Sequence, residues 1–236
     1  MRKPFTRPHL FSHRGLGFGG KENTLEAFHA CLQQEYLDGI ELDVQQTADG
    51  KLVVIHDFNL KRIAGTDAVI SELSYAELTT MYAELPLLDE VFSLCTDRLL
   101  YDLEIKSESL SNQGLETRLL DMITAHHLAA KVVVSSFNPV SLLRFRRLAG
   151  PGIPTALIYS TDASVPVLLR HGLGRHLARP TYLKPEQTQA VQALKLPHQV
   201  VTWTVDDPEA ARQLLKAGVM GIISNKGGEL ESLFNC

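Results

Sequence analysis

Apolar positions along this chain recur with two different periods, and segments with the two periods alternate. Apolar or period-two stretches predict strands near residues 10, 41, 102, 134, 157, 182, 203 and 222. Segments with helical spacing lie between most of these strands. Eight strands alternating with helices predict an α/β fold of the (β/α)₈ (TIM) barrel type. A doubly wound open sheet is the alternative, but it gives no reason for eight units.

The predicted helices begin at recognisable residues. Asn23, with Glu26 three residues later, predicts a capping pair for the first helix, which is expected to continue to about Tyr36. Asn138 and Asp207 each precede a proline, which is typical of a helix start. Further helices are predicted from about residue 74 and over residues 87–94, 114–127, 164–171 and 186–196.

The second strand and the segment after it predict a β-hairpin. The dipeptide Asp49-Gly50 predicts a type I′ turn, because both residues tolerate the positive φ that such a turn needs. Counting outward from this turn pairs Asp43 with His56, and opposed residues point to the same face of a sheet. The returning arm is expected to be an antiparallel extension after the second strand, followed by a small insertion over residues 58–86.

Polar side chains collect at one end of the predicted barrel. Glu41 and Asp43 share one face of their strand, and the predicted register adds His56 to that face. This group predicts a divalent metal site beside an imidazole, although a solvent-facing strand that happens to be acidic is the alternative. The ends of the first and third barrel strands add three polar residues to the same mouth, where such barrels carry active sites, namely His13, Glu104 and Lys106.

Composition fits a globular protein with one domain over residues 1–236. The chain is 44% hydrophobic and 21% charged, with a net charge of −4. This charge gives little support to nucleic-acid binding, although three arginines lie between residues 144 and 147. The three cysteines, Cys31, Cys95 and Cys236, predict reduced thiols in a cytoplasmic protein, with the first two in the core. No secretory signal or transmembrane segment is predicted.

Short motifs follow one another in a specific order along the chain. They are His13-Arg14-Gly15, Glu22 to Phe28, Glu41 to Val44, Val54 to Asp57, Arg62 to Thr66, Glu104 to Lys106, Ser136-Phe137, Trp203 to Val205 and Gly221 to Ile223. With these motifs the chain closely resembles the glycerophosphodiester phosphodiesterase family, which is marked by an HRG motif. The resemblance covers nearly the whole chain, and the joint order of the motifs is far more specific than any single one.

The resemblance implies a TIM-barrel hydrolase that converts glycerophosphodiesters into sn-glycerol 3-phosphate and an alcohol with the help of a divalent cation. It also implies site residues: Glu41, Asp43 and Glu104 as metal ligands, His13 and His56 as the acid/base pair, and Arg14 and Lys106 as phosphate contacts. Three carboxylates form an oxygen-rich site that suits Mg²⁺ or Ca²⁺ better than zinc. Lys106 has a second possible role, which is to pair with Glu104 or Asp102.

Three more residues are candidates for the walls of the site. Glu22 could contact glycerol hydroxyls or the surroundings of the metal, although a carboxylate near a helix N-terminus is equally expected there. Phe137 and Trp203 could face the leaving alcohol, although aromatic residues on barrel strands more often belong to the core. We also hypothesise that the glycerol 2-hydroxyl attacks phosphorus first and gives a cyclic phosphate that water then opens.

The chain departs from the family pattern at three positions. Met220 and Asn225 stand where family members usually have acidic residues, and Asp206 stands where an asparagine is common. These changes are expected to alter the shape and charge of the barrel mouth without removing a catalytic residue.

Two other functions remain open. One is a lysophospholipase D-type reaction on a substrate with one acyl chain, and the other is a non-catalytic barrel that binds phosphorylated ligands.

Overall fold

The computed structural model describes residues 5–16, 21–107, 110–111, 113–163 and 165–234. The strands of these residues are β1 (His9–His13), β2 (Gly39–Gln46), β3 (Leu52–Val54), β4 (Leu100–Ile105), β5 (Val132–Ser136), β6 (Thr155–Tyr159), β7 (Tyr182–Pro185), β8 (Gln199–Thr202) and β9 (Gly221–Ser224). All strands except β3 pair in parallel, and β1 pairs with both β2 and β9, which closes the sheet. The predicted (β/α)₈ barrel is therefore confirmed.

Helices connect most of the strands on the outside of the barrel. The α-helices of the described residues are α1 (Leu25–Cys31), α2 (Lys61–Ala64), α3 (Tyr75–Met81), α4 (Leu88–Cys95), α5 (Leu115–Ala125), α6 (Pro139–Ala149), α7 (Arg175–Ala178), α8 (Ala190–Ala193), α9 (Pro208–Ala217) and α10 (Gly227–Leu230). Their apolar faces pack on outward-facing strand residues such as Leu42, Leu103 and Ile222. Cys31 and Cys95 lie in this core as predicted, whereas Cys236 lies outside the described residues.

None of the helices in the described part of the chain combines the length and the apolar character that crossing a bilayer requires.

The barrel interior is apolar at the end where the strands begin. The Phe5 ring packs there with its centroid 5.7 Å from that of Phe11 and 5.0 Å from that of Tyr182. Met220 directly precedes β9 and packs against the same cluster. The expectation that Met220 shapes the barrel mouth is therefore wrong, because this residue lies at the opposite end of the barrel.

The hairpin exists because β2 is longer than β1. The pairing of β1 with β2 ends at Glu41, so the last residues of β2 have a free edge on which β3 pairs antiparallel. The predicted register is wrong by one residue, since Val44 pairs with Val54 instead of Ile55. A one-residue change of register moves side chains to the other face, so His56 is not directly opposite Asp43.

The turn chemistry explains the shifted register. The Thr47 hydroxyl accepts the backbone N–H of Lys51 at 3.0 Å and donates to the Asp49 carboxylate at 2.5 Å. Gly50 has a φ of 79°, and Asp49 is not among the residues with positive φ. The loop therefore spans residues 48–50 with one left-handed residue, instead of the predicted two-residue type I′ turn.

Several predicted helices differ in detail from those observed. Thr24, not Asn23, caps α1, and α1 ends at Cys31 instead of near Tyr36. Asn23 adopts the left-handed conformation with a φ of 56°. The helix predicted over residues 164–171 is reduced to a 3₁₀ turn at Val167–Leu169, because Pro166 disfavours helical geometry in the residue before it. The helix predicted over residues 186–196 is a 3₁₀ turn followed by the short α8.

Candidate active site

One group among the described residues has the geometry to hold a metal ion. Glu41, Asp43 and Glu104 each offer a carboxylate oxygen, and these oxygens all lie within 4.8 Å of one another. All three side chains are buried. Asp43 pairs with Glu104 across β2 and β4, so the alternating pattern of the two strands brings the trio together on one face.

The chemistry of this trio fits a divalent cation. All of its donors are oxygens, which is the ligand type that Mg²⁺ and Ca²⁺ prefer. Burial raises the pKa of Glu41 to about 8, and Lys184, 3.7 Å away, offsets the effect only in part. A bound cation favours the deprotonated form of its carboxylate ligands. In addition, Asn23, which contacts Asp43, has a buried Oδ1 without a hydrogen-bond partner in the described part of the chain. This oxygen fits the same kind of cation.

Two cationic side chains lie against the trio. Arg14 Nε is 3.4 Å and Lys106 Nζ is 3.8 Å from the carboxylate of Asp43. Burial raises the pKa of Asp43, but Lys106 and Arg14 outweigh this effect and hold the pKa below its ordinary value. Lys106 also lies 3.2 Å from Glu104, which is the ion pair expected as its second role. Both predicted phosphate contacts are thus at the mouth, each paired with carboxylates.

His13 ends β1 beside the trio. Its Nε2 lies 3.9 Å from Glu41 Oε2, and its Nδ1 lies 2.8 Å from Asn225 Oδ1. Burial and the nearby charge of Arg14 lower the pKa of His13 to about 4. At neutral pH this imidazole is therefore uncharged and has one nitrogen free to accept a proton.

His56 comes to the site from the loop after β3 and not from the strand pairing. Gln45 organises this loop, because its Nε2 donates to the carbonyl oxygens of Ile55 and Asp57, each at 2.9 Å. His56 Nδ1 lies 2.6 Å from the Asp57 carboxylate. The charge of His56 contributes to the lowered pKa of Asp43, whereas the predicted register with Asp43 does not hold and the acid/base role of His56 stays a prediction.

The three predicted wall residues have well-defined contacts. Glu22 Oε1 accepts hydrogen bonds from Arg14 and Arg62, so this carboxylate links the HRG segment to α2, and Arg62 Nε donates in turn to Asp57, which follows His56. The rings of Phe137 and Trp203 meet edge to face with centroids 5.7 Å apart. Trp203 Nε1 donates to the backbone oxygen of Lys184 at 3.0 Å, and both aromatic residues are half-buried.

Two charged residues inside the barrel were not singled out as site residues from the sequence. Lys184 on β7 is buried, and its Nζ lies 3.0 Å from the Asp102 carboxylate. Ser135 donates to the same carboxylate at 2.6 Å. The strand containing Lys184 is short and has no clear alternation, so no pattern indicated that this lysine faces inward.

Two amide side chains were also overlooked. Asn23 Nδ2 donates to Asp43 Oδ2 at 2.8 Å, and its tolerance of a left-handed backbone was the only available signal. Asn225, at the end of β9, contacts His13 and is itself bonded to Asp206. Asn225 was treated as a change of shape and charge only, but the structure places it directly against a predicted catalytic imidazole.

Known proteins resemble this chain over nearly its whole length. A model of the glycerophosphoryl diester phosphodiesterase family matches residues 13–229. A protein of Caldanaerobacter subterraneus named glycerophosphodiester phosphodiesterase is 32% identical over 240 residues, covering 96% of each chain. A protein of Bacillus altitudinis with the same name is 32% identical and covers 92% of this chain and 94% of its own.

The solved structures agree as well. The crystal structure of a glycerophosphodiester phosphodiesterase from Thermotoga maritima superimposes with a TM-score of 0.77 at 26% identity, covering 96% of this chain and 98% of the other. The family model, the relatives and the fold therefore lead to one assignment: the chain belongs to the glycerophosphoryl diester phosphodiesterase family and is an enzyme of that family.

Proposed function

We propose that this protein hydrolyses glycerophosphodiesters to sn-glycerol 3-phosphate and an alcohol, using a divalent cation, Mg²⁺ or Ca²⁺, held by Glu41, Asp43 and Glu104. The substrates would be small deacylated phospholipids, such as glycerophosphocholine, in the cytoplasm. The observation that carries this proposal is the buried carboxylate trio with the His13 imidazole 3.9 Å from Glu41. A barrel that only binds phosphorylated ligands would not need both imidazoles and the trio.

The bound cation would withdraw charge from the phosphoryl oxygens as the leaving oxygen departs. Arg14 and Lys106 supply further positive charge at the mouth, and Arg14 has the planar geometry that suits two phosphate oxygens at once. Both side chains are held by carboxylates of the site. In this proposal they are kept in place by these ion pairs and contact the substrate phosphate from there.

The two imidazoles divide the proton transfers between them. His13 is uncharged at neutral pH because burial and Arg14 lower its pKa, and it therefore accepts the proton of the attacking hydroxyl. His56 has the Asp57 carboxylate on Nδ1, which supports an imidazolium that donates a proton to the leaving alkoxide oxygen. A base without charge and an acid beside a carboxylate are the arrangement that this reaction needs.

The attacking hydroxyl is proposed to be the glycerol 2-hydroxyl. Its oxygen bonds to phosphorus while the bond from phosphorus to the alcohol oxygen breaks, which gives a cyclic glycerophosphate. Water then opens the cyclic ester, with the histidines in reversed roles, and yields sn-glycerol 3-phosphate. A deoxy analogue without the 2-hydroxyl should not be turned over, and full activity on that analogue would contradict this sequence of steps.

The direct test is the release of glycerol 3-phosphate from glycerophosphocholine by the purified protein. We expect turnover with Mg²⁺ or Ca²⁺, none with excess EDTA, and a loss of about 100-fold or more in His56→Ala, as for other acid/base residues. His198→Ala is a matched control on a histidine outside the mouth and should keep full activity. No turnover with any glycerophosphodiester or metal would contradict the proposed function.

A lysophospholipase D-type reaction is the second candidate, and one observation favours it. The loop after β6 exposes two apolar side chains, with Val167 69% and Leu168 76% exposed. Residues that follow a β-strand of such a barrel lie on the side of the active site, where apolar groups could contact an acyl chain. Turnover of lysophosphatidylcholine at a rate equal to that of glycerophosphocholine, and lowered by Leu168→Ser, would support this candidate.

A further inference from the structure

Asn225 lies between a carboxylate and the predicted catalytic base. Its Oδ1 is 2.8 Å from His13 Nδ1, and its Nδ2 donates to Asp206 Oδ2 at 2.9 Å. Its backbone N–H donates to the other oxygen of the same carboxylate at 2.8 Å. The chain of contacts therefore runs from Asp206 through the amide of Asn225 to the imidazole.

The chemistry of the groups fixes the direction of these hydrogen bonds. An ionised carboxylate only accepts hydrogen bonds, so the amide of Asn225 must turn its NH₂ group towards Asp206 and its oxygen towards His13. An amide oxygen only accepts as well, so His13 Nδ1 must carry the proton that joins them. The Nε2 of an uncharged imidazole then has the lone pair, and Nε2 is the nitrogen that faces Glu41.

Asp206 is held firmly enough to act in this way. Besides the two bonds from Asn225, its carboxylate accepts the Ser224 hydroxyl at 3.0 Å. Burial raises the pKa of Asp206, but the hydrogen bonds from Asn225 and Ser224 outweigh it and hold the pKa below its ordinary value. Asp206 is therefore ionised at neutral pH, which is the state that orients the amide.

We propose that Asp206 and Asn225 are positioning residues that hold the proton of the His13 imidazole on Nδ1 and leave its Nε2 lone pair facing the carboxylate trio. The placement of the proton stands on the geometry alone. Its consequence for turnover rests on the proposed function, because only there is His13 the base. A merely structural role, in which Asp206 fastens the chain after β9, would leave the imidazole proton free to occupy either nitrogen.

The first test is ¹⁵N NMR of the histidine side chains in metal-free protein with EDTA, at about pH 9, where an ordinary imidazole is uncharged. Comparison with His13→Gln assigns the His13 signals. We expect the wild type to carry the proton on Nδ1. In Asp206→Ala the NH₂ group of Asn225 loses its acceptor, so the amide can flip and turn either its oxygen or its nitrogen towards His13. We therefore expect a substantial fraction of the molecules to carry the His13 proton on Nε2.

The double variant D206N/N225D tests the same idea without loss of hydrogen bonds or net charge. The carboxylate at position 225 would accept from His13 Nδ1 and from the new amide at position 206, so the Nδ1 proton should be restored. This variant also protects the test if Asp206→Ala folds poorly. A wild type with the proton on Nε2, or a double variant without recovery of the Nδ1 proton, would overturn the proposal.

Asp207→Ala is the matched control on the neighbouring aspartate. Asp207 caps α9 by accepting the Ala210 N–H at 2.7 Å, so this variant should melt at a lower temperature while the His13 proton stays on Nδ1. If Asp207→Ala moves the proton as much as Asp206→Ala does, the effect is one of general loosening and the proposal is wrong. The same conclusion follows if Asp206→Ala leaves the proton on Nδ1.

Turnover provides the second measurement. We expect Asp206→Ala to lower kcat by about 10- to 100-fold with little change in KM, as is typical of groups that orient a ligand or base from behind, and D206N/N225D to recover most of it. An unchanged kcat together with a shifted proton would show that the orientation has no role in turnover. An inactive wild type would contradict the proposed function, whereas the NMR result would still decide the placement of the proton.

Discussion

The two sides of the barrel mouth differ in kind. The side built from β1, β2 and β4 carries the carboxylate trio, His13 and the two predicted phosphate contacts. The ends of β5 to β8 carry mainly hydroxyl and aromatic side chains, among them Phe137 and Trp203, with Glu186 as a carboxylate. The proposed chemistry therefore lies on β1, β2, β4 and the loop after β3, which leaves the opposite side for contacts with the leaving alcohol.

One residue crosses this division. Lys184 comes from β7 on the opposite side, and its Nζ reaches Asp102 and Glu41. The two sides are therefore separate at the rim, whereas below the rim a cation from the second side balances carboxylates from the first. Four changes test how far the division holds, and they follow in order of expected effect.

Lys184→Met should have the largest effect, because it leaves the buried carboxylate of Asp102 without its cation. Breaking a buried ion pair from one side typically costs about 3–5 kcal/mol of the free energy of unfolding. We expect a loss of this size in urea denaturation with EDTA present. The double variant K184M/D102N should regain most of the loss. A single variant as stable as the wild type would show that the two sides do not depend on each other.

Glu104→Gln tests the acidic side directly. Loss of one carboxylate of the trio should reduce turnover by more than about 100-fold, since even partners behind a metal ligand typically account for 10- to 100-fold. It should also weaken Mg²⁺ binding in calorimetry. Glu186→Gln makes the same chemical change on the opposite side and should alter turnover by less than about 3-fold on this scale. Equal losses in the two variants would remove the distinction between the sides.

The raised pKa of Glu41 predicts how stability depends on pH. Its pKa is about 8 in the folded protein against 4.5 ordinarily, so the metal-free fold retains a proton that the unfolded chain releases. The resulting stabilisation is complete below the unfolded pKa and is lost as pH rises through the folded one, by at most about 1.4 kcal/mol per pH unit. Thermal denaturation with EDTA should show this loss, and Glu41→Gln should abolish it.

Metal addition gives the complementary measurement. Because a cation displaces the Glu41 proton, Mg²⁺ should raise the melting temperature more at about pH 9 than at about pH 6. A metal effect that is the same at both pH values would show that Glu41 is not a ligand.

Trp203→Leu should have the smallest effect and tests the opposite side. Loss of the edge-to-face contact with Phe137 and of an aromatic surface for a choline group should raise KM for glycerophosphocholine by roughly 5-fold, the equivalent of about 1 kcal/mol. The kcat should stay nearly constant. Phe137→Leu is the matched control within the same pair. A large fall in kcat would place Trp203 on the catalytic side of the comparison.

Short-range periodicity predicted the fold and placed the carboxylates of the trio at one mouth, whereas their joint role as metal ligands was implied by the family resemblance. Glu41 and Asp43 alternate with apolar residues in one strand, and Glu104 follows Asp102 with the same period in the next. The parallel pairing of Asp43 with Glu104 then brings the carboxylates together. In a closed barrel, strand order and alternation together determine which side chains face the interior and which neighbours they meet.

The hairpin register, the cap of the first helix and the contact of Asn225 could not be predicted, because each depends on which of several nearby partners a side chain bonds to. The Thr47 hydroxyl accepts the backbone N–H of Lys51 and lengthens the loop from two residues to three. The dipeptide Asp49-Gly50 alone could not predict this bond. Thr24 caps the first helix in place of Asn23, and the Asn23 side chain donates to Asp43 instead. The contact of Asn225 with His13 was not predicted, because it depends on the ends of β1 and β9 and on Asp206 being adjacent in space.

Charge balance follows from the burial of the groups that line the inner mouth. Four carboxylates and two lysines there have side chains no more than 10% exposed, namely Glu41, Asp43, Asp102, Glu104, Lys106 and Lys184. When all are ionised they leave two net negative charges, which a divalent ion would neutralise and a monovalent ion would not. Arg14 at the rim would then balance a phosphodiester monoanion. The monoester product carries additional negative charge, so electroneutrality would favour the exchange of product for new substrate.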